Sequence, residues 1–348
     1  MRRVVALQAQ EAASPYLALW SRLAGFDPGD LADAFANRAV VKASLIRLTL
    51  HAVHAQDYQA FHAAMLSSLR ASRLNDRRFT TSGLSTADAD ALVPHLVEFA
   101  ARPRTRAQIE ASFQTRLGER NHPRAWWALK MFAPLHHAPT GGPWSFQASS
   151  SFVAAPTGLG PEAVDESVQR LFRRYLEGFG PASLKDFAQF TMLRLPVARE
   201  AARALAGDLL ALEGPDGSQL FDVPGAPIPA EDTPAPPRLL PMWDSILLAY
   251  FDRSRVIPPD YRRLVIQQNG DVLPTLLVDG YVAGVWRAVD GGIEATAFHR
   301  LPDEEWRGLA AEAAALSAFL ADRDPNVYGR YAHWWKALPS AEVRLLPG

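Results

Sequence analysis

The sequence contains no cysteine. Disulfides, thiolate-bound zinc, iron–sulfur clusters and a thiol nucleophile are therefore excluded. Lysine is scarce too: of 36 basic residues, 4 are lysine and 32 arginine. Arginine suits bidentate phosphate contact and stacking, but a GC-rich genome gives the same bias, so the count alone carries no weight. No apolar run approaches the roughly 18–20 residues of a membrane span. The start, Met1-Arg2-Arg3-Val4-Val5-Ala6-Leu7, meets Gln8 too soon for a signal peptide. The expected compartment is the cytoplasm. The P-loop, GxSxG, HExxH and GxGxxG patterns are all missing. No metal and no cofactor are expected.

What is present describes a globular chain. It has 348 residues, 48% hydrophobic and 21% charged, enough for one to three domains with a sizeable core. The formal net charge is −1 but unevenly spread: residues 1–138 carry +6 and residues 139–348 carry −7. Such polarity suits a phosphate-facing N-terminal part, although compositional drift gives the same numbers.

The clearest grammar lies mid-chain. Val164, Val168, Leu171, Phe172 and Tyr175 have helical spacing, stopped by Gly178 and Gly180-Pro181. Ser183 opens a second helix with Asp186 as its capping-box partner. Pro196 starts a third, ending at Gly207, and strands over 208–213 and 219–223 flank a Pro215-Asp216-Gly217 turn. Three helices and a hairpin are the winged-helix order. The same order recurs upstream: a helix over 86–101, a second capped by Thr105 with Gln108, and a third opened by Pro123. A strand over 134–138 and a polar returning strand over 144–152 follow. A partial unit lies at the N-terminus, with helices over 15–23 and 27–36 and a strand-like run over 40–54.

The expected organisation is α+β: tandem winged-helix (helix-turn-helix) domains packed around a C-terminal small β-barrel. The expected segments are 1–60, an N-terminally truncated first winged helix; 61–83, a connecting helix or loop; 84–155 and 161–223, the second and third winged helices. A linker over 224–241 with seven prolines, a barrel over 242–300, and a C-terminal helix with an aromatic tail over 301–348 complete the chain.

Few residues stand out chemically. His51-Ala52-Val53-His54 points its imidazoles to opposite strand faces, as does His136-His137, so neither pair is read as a metal site. The stretch Arg102–Arg124 holds six arginines and two glutamates, with aromatics just after. Its Arg104, Arg106, Arg116, Arg120 and Arg124 fall on helices that would meet DNA, against the alternative of a solvated helix face. Arg70, Arg73, Arg77 and Arg78 form a second basic cluster in an expected loop with Asn75 and Asp76.

Several strings resemble the AlkZ/YcaQ family of winged-helix DNA glycosylases. They are Leu7-Gln8-Ala9-Gln10 with Ser14-Pro15-Tyr16-Leu17-Ala18-Leu19-Trp20, and Arg47-Leu48-Thr49-Leu50-His51. The C-terminal run is Arg238-Leu239-Leu240-Pro241-Met242-Trp243-Asp244, Leu247-Leu248-Ala249-Tyr250 and Asp252-Arg253-Ser254-Arg255, followed by the Val278–Trp286 hairpin. The resemblance reaches about residue 320. It implies excision of N-alkylated purines, including bulky and crosslinked adducts, and maps the Gln-apolar-Gln motif onto Gln8 and Gln10. Family members carry a further helix before that motif. It adds Arg47 and His51 to the DNA-contact set.

The chemistry is plausible for glutamine. An alkylated purine already carries positive charge, so the base leaves readily and the enzyme mainly positions water and favours a sugar cation. An i, i+2 pair on extended backbone puts both amides on one face; mid-helix the two would diverge by about 200°. Asp244, Asp252, Arg253 and Arg255 either line a DNA channel or form an internal salt-bridged turn. The expected function is a monofunctional DNA glycosylase of DNA repair, acting as a monomer on alkylated double-stranded DNA, with no membrane partner. The alternatives are a non-catalytic winged-helix DNA binder, as regulator or damage sensor, and a scaffold for protein or a small molecule.

Overall fold

The computed structural model describes residues 1–118, 120, 122–146, 149–155 and 164–347, the side chain of residue 122 excepted. The chain mixes helix and strand and divides into two units. One comprises Met1–Ala12 and Asp27–Pro224; the other comprises Ala13–Phe26 and Gly225–Gly348. Helix α1 (Ser14–Trp20), expected within an N-terminal winged helix, belongs to the second unit.

The first unit is built on a six-stranded antiparallel sheet. Its strands are β1 (Leu7–Gln8), β2 (Val40–Ser44), β3 (Leu50–His54), β4 (Arg104–Thr105), β5 (Leu135–Ala138) and β6 (Ser151–Ala154). Their order is β1-β3-β2-β5-β6-β4, so strands from residues 7–54 and 104–154 share one sheet through the Lys42–His137 pairing of β2 and β5. The run over 40–54, expected as one strand, is a hairpin. Leu45 and Ile46 are buried at its tip, and Arg47 and Leu48 turn the chain with φ of 54° and 60°. Of the returning strand expected over 144–152, only the Ser151–Ala154 portion forms; residues 147 and 148 lie outside the described set.

Helices α2 (Pro28–Ala36), α3 (Ala55–Leu74), α4 (Arg77–Thr80), α5 (Thr86–Phe99), α6 (Arg106–Leu117) and α7 (His122–Phe132) also belong to this unit. The loop expected around Arg70 and Arg73 is instead the end of α3. Tyr58, Phe61, Met65 and Leu69 recur at three- and four-residue steps and are buried, which holds the helix through its polar last turns. Thr105 and Gln108 cap α6 reciprocally.

Next come α8 (Val164–Phe179), α9 (Leu184–Thr191), α10 (Leu195–Ala204) and the hairpin of β7 (Leu210–Glu213) and β8 (Gln219–Asp222). Residues 161–163 of the segment expected here lie outside the described set. The Ser183–Asp186 capping box starts α9, and Met192, with φ of 64°, ends it. Phe172, Tyr175 and Phe179 of α8 meet Phe187 and Phe190 of α9 at centroid distances of 4.7–5.5 Å. Tilted aromatic pairs of this kind add to the burial energy of a small core.

The second unit contains β9 (Arg238–Leu240), a short α11 (Arg262–Val265), β10 (Thr275–Val278), β11 (Tyr281–Val289), β12 (Gly292–Ala297), α12 (Asp303–Ala321) and β13 (Glu342–Pro347). The barrel expected over 242–300 is an open sheet of order β13-β12-β11-β10-β9. Among the described residues its edge strands do not pair, because the C-terminal segment extends the sheet beyond β12 instead of letting it close on β9. Gly284 permits close strand approach, since a Cβ there would lie 2.1 Å from the Thr296 carbonyl. Trp286 is fully buried and donates its indole N–H to the Leu240 carbonyl at 2.9 Å.

Candidate functional site

Gln8 ends the two-residue edge strand β1, and Gln10 sits at a bend two residues on. β1 pairs with β3, Leu7 opposite Ala52 and Gln8 opposite His51, and the Ala9 amide donates to the Leu50 carbonyl at 2.8 Å. The two glutamines bond to each other. The Gln8 carboxamide N–H donates to Gln10 Oε1, and the Gln10 backbone N–H donates to Gln8 Oε1 at 3.0 Å. Gln8 is buried and Gln10 exposed. The inner amide thus orients the outer one, whose carbonyl oxygen keeps a second lone pair.

The segment before the pair is held from three directions. Val5 has a φ of 61° and a ψ of −69°, a sparsely populated conformation for a β-branched residue, and is buried. A Cβ at Gly178 of α8 would lie 2.6 Å from the Arg3 carbonyl, so only glycine lets the helix touch this backbone. Asp57 of α3, 1% exposed at its side chain, faces Arg170 at 3.1 Å, Arg174 at 3.2 Å and Arg2 at 3.8 Å.

Behind the pair stands His51. It is fully buried, so the expected contact with DNA is corrected: its imidazole has no surface to offer. Burial, then the charge of Arg47, pushes its pKa down to about 3 against the opposing pull of the Thr49 carbonyl. The neutral ring donates from Nδ1 to Thr49 at 3.1 Å, which leaves Nε2 to accept from Arg47 at 3.4 Å. Arg47 is half-buried, donates to the Phe190 carbonyl at 2.9 Å and stacks over the Phe190 ring at 5.0 Å. It ties the β2–β3 turn to α9.

The remaining basic residues divide by partner. Arg70 pairs with Asp90, Arg106 with Glu110 and Arg120 with Asp88. Arg104 donates to the Phe99 carbonyl at 2.9 Å and stacks on its ring. Arg116 is exposed. Arg77 and Arg78 of α4, read in sequence as one cluster, meet Arg124 of α7, read as another. With Asp76, Thr81 and Ser82 they line an open cleft of about 580 Å³. Trp127 carries both Arg73, at 4.5 Å from its centroid, and Arg78, at 5.5 Å. The role of Trp127 is missed by the sequence reading, although its place beside a basic stretch is the signal that marks it.

In the second unit Asp244 is buried and takes a bidentate pair of bonds from Arg22, at 2.8 and 2.7 Å, while capping the Ile246 amide at 3.0 Å. Asp252 caps Ser254 at 2.9 Å, Arg253 donates to the Tyr250 carbonyl, and Arg255 stacks 3.9 Å from the Tyr250 centroid. Each of these four makes an internal contact of its own unit. Among the described residues no group of three or more His, Cys, Asp or Glu side chains is placed to hold a metal. No helix among them is long and apolar enough to cross a membrane.

The family model for AlkZ-like DNA glycosylases matches residues 1–319. The chain belongs to this AlkZ-like family. It is 29% identical over 208 residues to an interstrand DNA cross-link repair glycosylase of Streptomyces sahachiroi, a match covering 56% of this chain. That match spans about half of the relative, 53% of its length. The structure of the Streptomyces sahachiroi DNA glycosylase AlkZ superposes with a TM-score of 0.76 at 23% identity, covering 90% of this chain and 88% of that one. This AlkZ-like chain therefore has the AlkZ fold.

Proposed function

We propose that the protein is a monofunctional DNA glycosylase that hydrolyses the N-glycosidic bond of N-alkylated purines, with Gln8 and Gln10 as its catalytic pair. The carrying observation is the mutually bonded Gln8–Gln10 pair, in which a buried amide orients an exposed one, in a chain of a DNA glycosylase family. The Gln10 carbonyl accepts a hydrogen bond from water and aims the water oxygen at C1′. The C1′–N bond breaks and its electron pair neutralises the cationic base. Water bonds to C1′ and releases a proton to solvent. The amide dipole favours the positive sugar ring in between.

Lys42 supports the monofunctional reading. It is the amine nearest in register, on β2 opposite Ala52, and Ala52 is opposite Leu7. Its side chain therefore shares the face of Leu7, and Gln8 lies on the other.

The element order supports tandem winged helices over residues 1–60, 84–155 and 161–223 of a monomer. Alkylated double-stranded DNA is the partner, met through Arg77, Arg78, Arg116 and Arg124, and in solution the protein needs no cofactor. The test is release of 7-methylguanine from alkylated duplex, lost in Gln10→Ala. Binding of the duplex without release from any alkylated substrate would favour the non-catalytic reading, which the mutual engagement of the two amides also fits.

A further inference from the structure

The cleft between α4 and α7 joins residues that are far apart in the sequence and presents three guanidinium groups to one space. Its single carboxylate among the described residues, Asp76, is engaged: its Oδ1 accepts the Arg78 amide at 2.7 Å, and the Arg78 guanidinium sits 3.8 Å away. The two hydroxyls are engaged as well, Thr81 donating to the Arg77 carbonyl and Ser82 to the Phe79 carbonyl. The donors left for a ligand are the guanidinium groups. Arg77 and Arg124 are exposed, and neither has an ion-pair partner among the described residues, unlike Arg70, Arg106 and Arg120 on the same unit.

The cluster is also rigidly mounted. Trp127 is a shared shelf for Arg73 and Arg78, which fixes their planes and lowers the rotamer entropy lost on binding. Lys130, further along α7, is lowered in pKa by burial and then by Arg73 and Arg106.

We propose that this cleft is a backbone-phosphate notch, in which Arg77, Arg78 and Arg124 hold a phosphodiester of the DNA strand while Trp127 sets the plane of the Arg78 guanidinium. The proposal rests on the DNA-glycosylase reading for its choice of polymer. It deepens that reading: Arg77, Arg78 and Arg124 act on one phosphodiester as a single notch, and no element carrying the glutamine pair contributes to it. The notch acts in affinity, not in bond cleavage. Guanidinium forks match phosphate oxygens bidentately, and an open cleft admits a continuous strand where a closed pocket would admit only a terminal group.

The experiment measures binding of a short unmodified duplex by fluorescence anisotropy between about 50 and 200 mM salt. Arg77→Ala/Arg124→Ala is expected to bind about 10-fold more weakly and to lower the salt slope by about 2. Arg77→Lys/Arg124→Lys is expected to keep the wild-type slope, because the charges remain. Both positions are exposed, so an unchanged melting temperature separates lost contact from lost fold. Unmodified DNA makes the result independent of catalysis: a chain that excises nothing still reports on the notch. Wild-type affinity and slope in the alanine variant overturn the proposal. Displacement of the duplex by sub-millimolar inorganic phosphate, in wild type but not in the variant, overturns the strand assignment in favour of a free-phosphate site.

Discussion

Gln8 and His51 are direct partners across the β1–β3 pairing. In an antiparallel ladder such partners project from the same face, so a histidine held neutral and immobile lies against the glutamine that orients Gln10. The division of labour in the pair follows: Gln8 is an internal strut, and Gln10 is the group that meets substrate.

The two glutamines are therefore expected to fail differently. Gln10→Ala should lower single-turnover release of 7-methylguanine by about 100- to 1000-fold, the magnitude seen when one preorganised dipole is removed. Gln8→Ala should lower it less, and should also lower the melting temperature because a buried amide pairing is lost. Equal activity losses with unchanged stability in both would contradict this division.

Gly178→Ala tests whether the glutamine pair depends on α8. The added methyl meets the Arg3 carbonyl at 2.6 Å, so the N-terminal segment must shift. A loss of about 1–3 kcal/mol in denaturant unfolding is expected, with a drop in kcat larger than the change in duplex affinity. Unchanged kcat would show that the segment tolerates displacement.

Acid should destabilise the protein before its carboxylates protonate. The pKa values of His51 and His136 fall to about 3 and about 4, in both cases chiefly through burial. In the unfolded chain each sits near 6.5, so below that pH the unfolded state binds more protons. Stability is complete above about pH 6.5 and declines by about 1.4 kcal/mol per pH unit for each such histidine as pH falls toward the folded values. Unfolding free energy measured between pH 7 and 5 should show this slope, reduced by one proton in His51→Gln.

The Arg22–Asp244 pair is expected to matter for stability alone. Asp244 is buried, while the Arg22 side chain keeps 26% exposure. Arg22→Ala strands a buried carboxylate and should cost about 2–3 kcal/mol, below the range for fully buried pairs because solvent reaches the arginine side. Urea unfolding measures it. A loss of under 0.5 kcal/mol would show that water replaces the guanidinium without penalty.

Local patterns were legible in the sequence and distant ones were not. The capping boxes at Ser183 and Thr105 and the hairpin at Asp279-Gly280 need only three or four consecutive residues, and all are found. For Gln8-Ala9-Gln10 the sequence left extended and helical backbone open, and the pairing of β1 with β3 excludes the helix. The burial of His51 was not, because imidazole is at home in core and surface alike and only its neighbours decide. The helix through Arg70 and Arg73 was hidden by a run of serine and arginine at its end. The Arg22–Asp244 contact and the meeting of Arg77 with Arg124 join distant segments, and no periodicity encodes such encounters.

The two-residue length of β1 makes the site a matter of parity. Alternation along a strand means that every second side chain faces the same way. Sliding this segment by one position against β3 would put Leu7 and Ala9 on the face of His51 and move the glutamines to the face of Ala52. An insertion or deletion of a single residue between Val5 and Gln8 would therefore invert the site without altering any residue in it, whereas a two-residue change would preserve its facing. The left-handed turn at Val5 and the glycine beneath Arg3 act as the stop that keeps the count even.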